Sequence, residues 1–582
     1  MRERNDLSGS WLMSAANTEL DRKYDDSVVN LPFIHKAADF TDIVFANSFT
    51  AAQRLQGETL YLEFRQVSGE AKIYCGDELL GEHRGASSAF RVKLTDAAAA
   101  GQQFDVRAAV TPSARSDGNF IFGKVCVISV GQSHFDLDYC GGPGLHLSTQ
   151  TSPEGTRLHI KARVVNPNNY DVVSYAVEDE AGQLVASRTE KPTGADTVIE
   201  IPSPALWGGQ KDAHLYTLKA ALVRDTAVLD NVEIPFGIRT MEIGEDGFFR
   251  LNGLKLPLNG VALADCAHLK TDKLLLEMID ANAVSADALP AKADLLLECD
   301  RTGTVFRFDL PYTGADSDFE DLRDFLVQNR NHPSLAFVCC DGRADEEYLS
   351  KFLAVCKACA PGVFTVMKRK LSDTAPLPEN LPNVVGLTVG GGDTEDLTAL
   401  RSRFEELKAA HPSVSFALLA EAPEREAAEE GKTPLSESGL CEWHEALWNT
   451  FCNDTGLIGC FAGLLTDTKE ETGGRGLVTY DRKYIKDAFW FYKAQFSATA
   501  FVKLCAAELA TVHTKKPDIR CYTNTPPATL TVDGNEKNKY EAETLSEGVY
   551  IFRKVALKNK VSTVTVTAGD RTDTVKISYE KK

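Results

Sequence analysis

Short bursts of alternating apolar and polar residues fill the first part of the chain. Thr59–Phe64, Ala71–Tyr74, Phe90–Leu94, Phe104–Val110 and Gly123–Val130 are bounded by Gly, Asp and Ser turns. Leu60-Tyr-Leu-Glu-Phe64 has the period of a half-buried strand. Arg157–Val165, Val172–Glu178, Gln183–Ser187, Asp196–Ile201 and His214–Val223 continue the pattern at the spacing of a β-sandwich.

The rhythm then changes. Leu256–Gly260, Ala281–Ala286, Thr304–Asp309, Leu335–Cys340, Val363–Met367, Val384–Val389, Ser415–Ala420 and Ile458–Leu464 are eight short apolar runs. Helical patterns such as Thr271–Asp280, Ser317–Asn329 and Thr394–Ala410 separate most of them, with Thr271 and Ser317 where N-caps are expected. The link after the fifth run, Leu371–Pro382, is Pro-rich and predicts no long helix. Eight strands alternating with helices over about 240 residues predict a (β/α)8 barrel. Thr529–Val532, Gly548–Val555 and Val561–Val566 return to strands. The reading is a multidomain chain. A TIM barrel (240–500) follows two β-sandwiches, 1–140 of jelly-roll type and 141–239 Ig-like, and precedes a C-terminal Ig-like sandwich, 501–582.

Composition narrows the partners. Lys+Arg 63 against Asp+Glu 83 gives a net charge of −20, which disfavours phosphate backbones and anionic membrane surfaces. No window of 18 uncharged apolar residues predicts a membrane span. The segment Met1–Asp21 carries no apolar run of signal-peptide length. The 14 cysteines are scattered, as in a reducing compartment, so the expectation is cytoplasmic. Cys356 and Cys359 form a lone CxxC inside a helical pattern. Zinc needs a second ligand pair, and none is suitably spaced. We expect buried thiols there, no metal and no cofactor, and leave homo-oligomerisation open.

Several local signatures refine this picture. They are Ala71-Lys-Ile-Tyr-Cys-Gly-Asp-Glu-Leu-Leu-Gly-Glu-His-Arg-Gly85, Phe236-Gly-Ile-Arg239 with Gly247-Phe-Phe-Arg-Leu-Asn-Gly253, Arg330-Asn-His-Pro-Ser334, Gly476–Lys483 with Lys486-Asp-Ala-Phe489, and Asp518–Asn524. In this order they resemble the family 2 glycoside hydrolases, the β-galactosidase, β-glucuronidase and β-mannosidase types, across nearly the whole chain. That resemblance implies a sugar-binding jelly roll, a catalytic barrel and a carbohydrate ligand. Fold alone does not fix function.

Retaining glycosidases use two carboxyl groups about 5–5.5 Å apart. The resemblance puts the acid/base Glu of "RNHPSxxxWSxGNE" at Arg343, its Asn at Gly342 and its Trp at Val338. An Arg does not act as a general acid near neutral pH. Asp341, Asp345, Glu346 and Glu347 lie nearby, although Asp345–Tyr348 reads as a first helical turn, where acids complement the dipole. The nucleophile slot falls on Glu421 in Phe416-Ala-Leu-Leu-Ala-Glu421. It reads equally as a rim carboxylate, or as a cap for a helix over 423–430.

The orienting residues depart as well. Where the family has "GVNRHE" the chain has Gly260-Val-Ala-Leu-Ala-Asp265, and for "NxVRxSHYP" it has Asn282–Pro290, with Ser285, Ala288 and Leu289 in place of Arg, His and Tyr. Asn282, Pro290, Asp300 and Gly303 keep their spacing. Asp309 replaces a Glu, Ile458–Gly463 lacks the sugar-stacking Trp, and Asp467 is retained. Asp309 and Asp467 are therefore the substrate-binding candidates. The first reading is a catalytically degenerate member that binds carbohydrate, scaffolds or regulates. The second is an active β-glycosidase using Glu421 with a non-standard acid. The third is thiol chemistry through Cys339 or Cys340, which needs a basic neighbour.

Overall fold

A computed structural model describes residues 2–16, 27–50, 58–85, 88–94, 102–113, 119–263, 268–287, 294–390, 396–421, 437–452, 456–468, 474–505, 511–535, 537 and 539–580. The third and largest unit is a closed barrel of eight parallel strands. They are β1 (Leu258–Ala262), β2 (Ala283–Ala286), β3 (Val305–Asp309), β4 (Leu335–Cys340), β5 (Phe364–Lys370), β6 (Val384–Gly390), β7 (Ser415–Glu421) and β8 (Leu457–Leu464). Each predicted run overlaps its strand. The predicted gap after β5 is a helix-free link to β6. The barrel helices are α1 (Leu269–Ile279), α2 (Leu295–Thr302), α3 (Ser317–Asn329), α4 (Glu346–Cys359), α5 (Leu397–Ala410), α6 (Glu437–Phe451) and α7 (Asp487–Phe496).

Strand alternation builds two cores. On β3, Phe306 and Phe308 point outward to α3, where the Phe308 and Phe325 rings stack at 3.8 Å. Val305 points inward with Phe337, Val366, Val384, Ala417, Leu419 and Phe461. The interior is filled rather than hollow: a Cβ on Gly260 would lie 2.3 Å from the Phe461 ring. Each fully buried Phe of this kind contributes roughly 1.5–3 kcal/mol.

The first sandwich packs a six-stranded sheet, including Asp42–Thr50 and Gln103–Pro112, on a four-stranded one, including Thr59–Arg65 and Ala89–Leu94. The second pairs sheets of three and four strands around Leu158, Tyr175, Leu218 and Phe236. The C-terminal sandwich pairs sheets of four and five strands around Leu530, Phe552 and Val566. Polar contacts seat these units on the barrel. Ser88 donates to Asp321 at 2.8 Å, Trp207 Nε1 to the Asp300 carbonyl at 2.8 Å, and Tyr522 to Glu445 at 2.6 Å.

Two expected caps are corrected. Helix α1 begins at Leu269, so Thr271 lies inside it, and its first turn is held by the buried Asp272, which pairs with Arg482 at 3.0 Å. Ser317 is the first residue of α3 rather than its cap. Asp318 reaches back instead, accepting from the Thr313 and Gly314 amides at 2.9 and 3.1 Å. Asp294, Asp345 and Asp396 are the side chains that cap α2, α4 and α5. No described helix is long and apolar enough to cross a membrane.

Candidate active site

The C-terminal strand ends surround a cavity of about 310 Å³. Alternation decides which side chains reach it. Ala262, Ser285, Asp287, Arg307, Asp309, Lys368, Glu421, Phe461 and Gly463 all line it. Glu421 ends β7 and is exposed. Its backbone is fixed by Gly390 on the neighbouring strand. Gly390 has φ 137°, and a Cβ there would meet the Glu421 carbonyl oxygen at 1.6 Å, so only glycine fits.

Asp309 does line the cavity, but its carboxylate is already engaged. Arg307 Nε and Nη2 donate to it at 2.6 and 3.0 Å, and Lys368 Nζ lies 3.0 Å from Oδ2. The Arg307 guanidinium also sits 4.1 Å over the Phe461 ring. Burial alone would raise the Asp309 pKa, but the two cations outweigh it and hold the carboxyl below the usual range. Asp309 in turn holds Lys368 firmly protonated. Glu421 adds to the field that keeps Arg307 charged. The mouth thus carries an Arg–Asp–Lys group beside the exposed Glu421, with Asp287 and Arg475 also on its wall. The Ser285 hydroxyl is buried in the wall without a protein hydrogen-bond partner.

Asp467 does not line this cavity. It is 2 % exposed, and its Oδ1 accepts from Lys486 Nζ at 2.7 Å and from the Gly476 amide at 2.8 Å. This buried pair fixes the loop after β8, a structural duty that the family pattern did not reveal.

Around position 343, Asp341, Asp345 and Glu347 are also engaged. Arg343 is exposed, donates to Asp341 at 2.7 and 3.3 Å, and lies 4.7 Å over Tyr312. Burial raises the Asp341 pKa, but its bonds from Arg343 prevail and lower it. Asp345 caps α4 through the Tyr348 amide at 2.8 Å, and Glu347 pairs with Lys351 at 3.0 Å. None of Asp341, Arg343, Asp345, Glu346 and Glu347 lines the cavity. Cys339 and Cys340 are buried in β4, and burial pushes the Cys339 thiol up to about 12 and Cys340 higher still. Unshifted-to-low thiol pKa values are what reactivity requires, so the third reading loses its support. Cys356 and Cys359 lie buried in α4. Positions 264, 288–290 and the helix expected over 423–430 fall outside the described residues.

The retained motif residues sit elsewhere. Asn282 accepts from the Asn259 amide at 2.8 Å and donates to the Pro257 carbonyl at 2.9 Å, tying β2 to β1. Buried Asp300 accepts from His332 Nδ1 at 2.6 Å and from the Ser334 amide at 3.0 Å. Gly303 closes α2 with φ 69°, and a Cβ there would meet Gly209 at 2.1 Å. Arg330 donates to the Cys359 carbonyl at 2.8 Å. Arg307 and Lys368 were missed by sequence reasoning. A cation among inward positions of a strand buried on both faces, as in Val305-Phe-Arg-Phe-Asp309, was the available signal.

Comparison with known proteins agrees with this architecture. Residues 144–239 match the family described as Glycosyl hydrolases family 2. A β-glucuronidase of Bacteroides fragilis is 24% identical over 90% of this chain and 86% of its own. A β-galactosidase of Thermoanaerobacter pseudethanolicus is 23% identical over 50% of this chain and 43% of its own. The solved structure of an FMN-binding β-glucuronidase from Facaelibacterium prausnitzii L2-6 superposes with a TM-score of 0.89 at 22% identity, covering 100% and 98% of the two chains. A putative β-galactosidase from Bacteroides fragilis gives 0.87 at 20% identity, covering 100% and 99%. The match over residues 144–239, the barrel and the order of units together make the chain similar in sequence and fold to the glycosyl hydrolases of family 2.

Proposed function

We propose that this chain is a non-hydrolytic family 2 β-glycosidase-like protein that offers its barrel mouth as a binding cavity for a carbohydrate ligand. One observation carries the reading. The family's acid/base position is Arg343; of the neighbouring acids, Asp341 is spent on Arg343 itself, Asp345 on the α4 cap and Glu347 on Lys351, and none of these, nor Glu346, lines the cavity wall. Loss of general-acid assistance costs about 10²–10⁴ in rate, and loss of orienting side chains compounds it. The replacements Ala262, Ser285 and Gly463 line the wall where the family's polar and aromatic groups are expected. We place the protein in a reducing compartment, a reading supported by thirteen free, mostly buried cysteines among the described residues.

The test is a panel of aryl β-galactoside, β-glucuronide, β-glucoside and β-mannoside substrates, with the full chain and Glu421→Gln in parallel. The expected result is equal, background release of the aryl group by both. Turnover that disappears in Glu421→Gln overturns the proposal. A second reading rests on Asp287, whose carboxyl lines the same cavity as Glu421. It would supply the acid, and it requires that Asp287→Asn abolish the same turnover on substrates with poor leaving groups.

A further inference from the structure

A second cavity, about 620 Å³, opens where the two N-terminal sandwiches meet the flank of the barrel. It shares no residue with the barrel mouth. In a chain of net charge −20 its wall is cationic. Arg2, Arg4, Arg65, Arg91 and Lys124 all line it.

The charges there do not cancel. Arg2 is neutralised by Asp230 through bonds of 3.1 and 2.9 Å. Glu63, 1 % exposed, is left to serve Arg4, Arg65 and Arg91 together. Arg65 and Arg91 each bring a single Nε to it, at 3.1 and 2.8 Å, and Arg4 brings Nη2. Arg91 spends Nη1 on the Leu137 and Gly142 carbonyls, at 3.0 and 2.8 Å, which makes it a fixed anchor. The side chains of Arg4 and Arg65 are 42% and 51% exposed. A guanidinium that gives one N–H to a carboxylate keeps several donors in a rigid fork for another oxyanion. Of the other acids on the wall, Asp294 caps α2 and adds to the field at Arg65, and Glu233 sits in register with Lys219 on the neighbouring strand. Three arginines therefore converge on one carboxylate, with Lys124 on the same wall.

We propose that this cavity binds the phosphate group of a small phosphorylated organic molecule, with Arg4, Arg65 and Lys124 as its contacts and the Arg91–Glu63 pair holding them in place. A phosphate ester brings about two negative charges near neutral pH and several acceptor oxygens. It can be approached from several sides at once, whereas a carboxylate offers one plane. The volume lies in the range of sites for organic ligands, so the phosphate carries a body.

The test uses the full chain at constant ionic strength. Glucose 1-phosphate, inorganic phosphate and unphosphorylated glucose are titrated calorimetrically against wild type, Arg65→Gln and Lys124→Gln. The expected result is saturable binding of the two phosphate probes with Kd below about 1 mM, no binding of glucose, and a loss of about tenfold or more in each variant. A second readout needs no variant. Bound phosphate should protect Lys124 from amine-reactive labelling, read by mass spectrometry on the wild-type chain. Absence of saturable binding by both phosphate probes, or binding that neither variant weakens and that leaves Lys124 equally labelled, overturns the proposal.

Discussion

Asp309→Asn separates a substrate contact from a charge clamp. In the wild type, Asp309 is 13%, Arg307 5% and Lys368 28% exposed at their side chains. Lys368 can turn to water when the carboxylate is removed, but Arg307 cannot. The substitution therefore leaves a buried guanidinium without its counter-charge, and breaking such a pair costs about 3–5 kcal/mol. We expect the lower end, about 3 kcal/mol, because Arg307 retains its position over Phe461. Trp443, Trp448 and Trp490 lie on α6 and α7, so tryptophan fluorescence during urea unfolding reports the barrel. In an Arg307→Met background, where the Met replaces the stem without the charge, Asp309→Asn should cost at least about 2 kcal/mol less. The pH dependence has a definite sign. The folded carboxyl is held below its usual range by burial-strengthened contact with Arg307 and Lys368. Its contribution is present above the unfolded value of about 3.9 and is lost as pH falls through the depressed one. The gap between wild type and Asp309→Asn should therefore close in acid. A variant within about 0.5 kcal/mol of wild type at pH 7, with the same cost in the Arg307→Met background, refutes the clamp and restores Asp309 as a free ligand contact.

Three further outcomes follow from other parts of the molecule. Burial raises the Glu63 pKa, but Arg91, Arg4 and Arg65 bring it from 4.5 down to about 2, a shift corresponding to about 3 kcal/mol. Glu63→Gln should lower the urea midpoint above pH 4.5, with the difference shrinking as pH falls toward 2. Gly390→Ala should destabilise the barrel by about 2 kcal/mol or more through its clash with the Glu421 carbonyl, while Gly362→Ala, with nothing within 4 Å of its Cβ, should leave the unfolding midpoint unchanged. Cys339 and Cys340 should resist a thiol reagent at neutral pH until urea unfolds the barrel, given their burial and raised pKa values.

Alternation was enough to place the barrel. Leu335–Cys340 is bounded identically by pattern and by structure, because it is apolar on both faces and flanked by Pro333 and Asp341. Helix starts were less legible. Thr271 and Ser317 have capping side chains, yet the starts are set by Asp272 and Asp318 through contacts with Arg482 and with the Thr313–Gly314 backbone. The Arg482 contact spans 210 residues of sequence, so no local pattern contains it. Asp467 failed for the same reason: its retained position suggested a substrate contact, whereas its partner is Lys486, inside a motif read for architecture.

The distribution of retained and replaced residues has a physical basis. Asn282, Asp300, Gly303, Arg330 and His332 close the barrel away from the mouth. Each fills a hydrogen bond or a close approach that another residue would leave unmet. Buried polar groups that lose a partner cost about 1–3 kcal/mol each, so folding alone holds these residues in place, whatever happens at the rim. Rim positions carry no such constraint, because a side chain aimed at a ligand leaves no protein partner unpaired when it is shortened. Ala262 and Gly463 are replacements of this kind. Asp309 shows the complementary change. Lying between Arg307 and Lys368, it uses its carboxylate within the protein, and in doing so it keeps both cations at the mouth without an uncompensated buried charge. A rim of this kind is stable whether or not its acids act on a substrate, which is why the barrel's integrity is no argument for turnover and the Glu421→Gln comparison is.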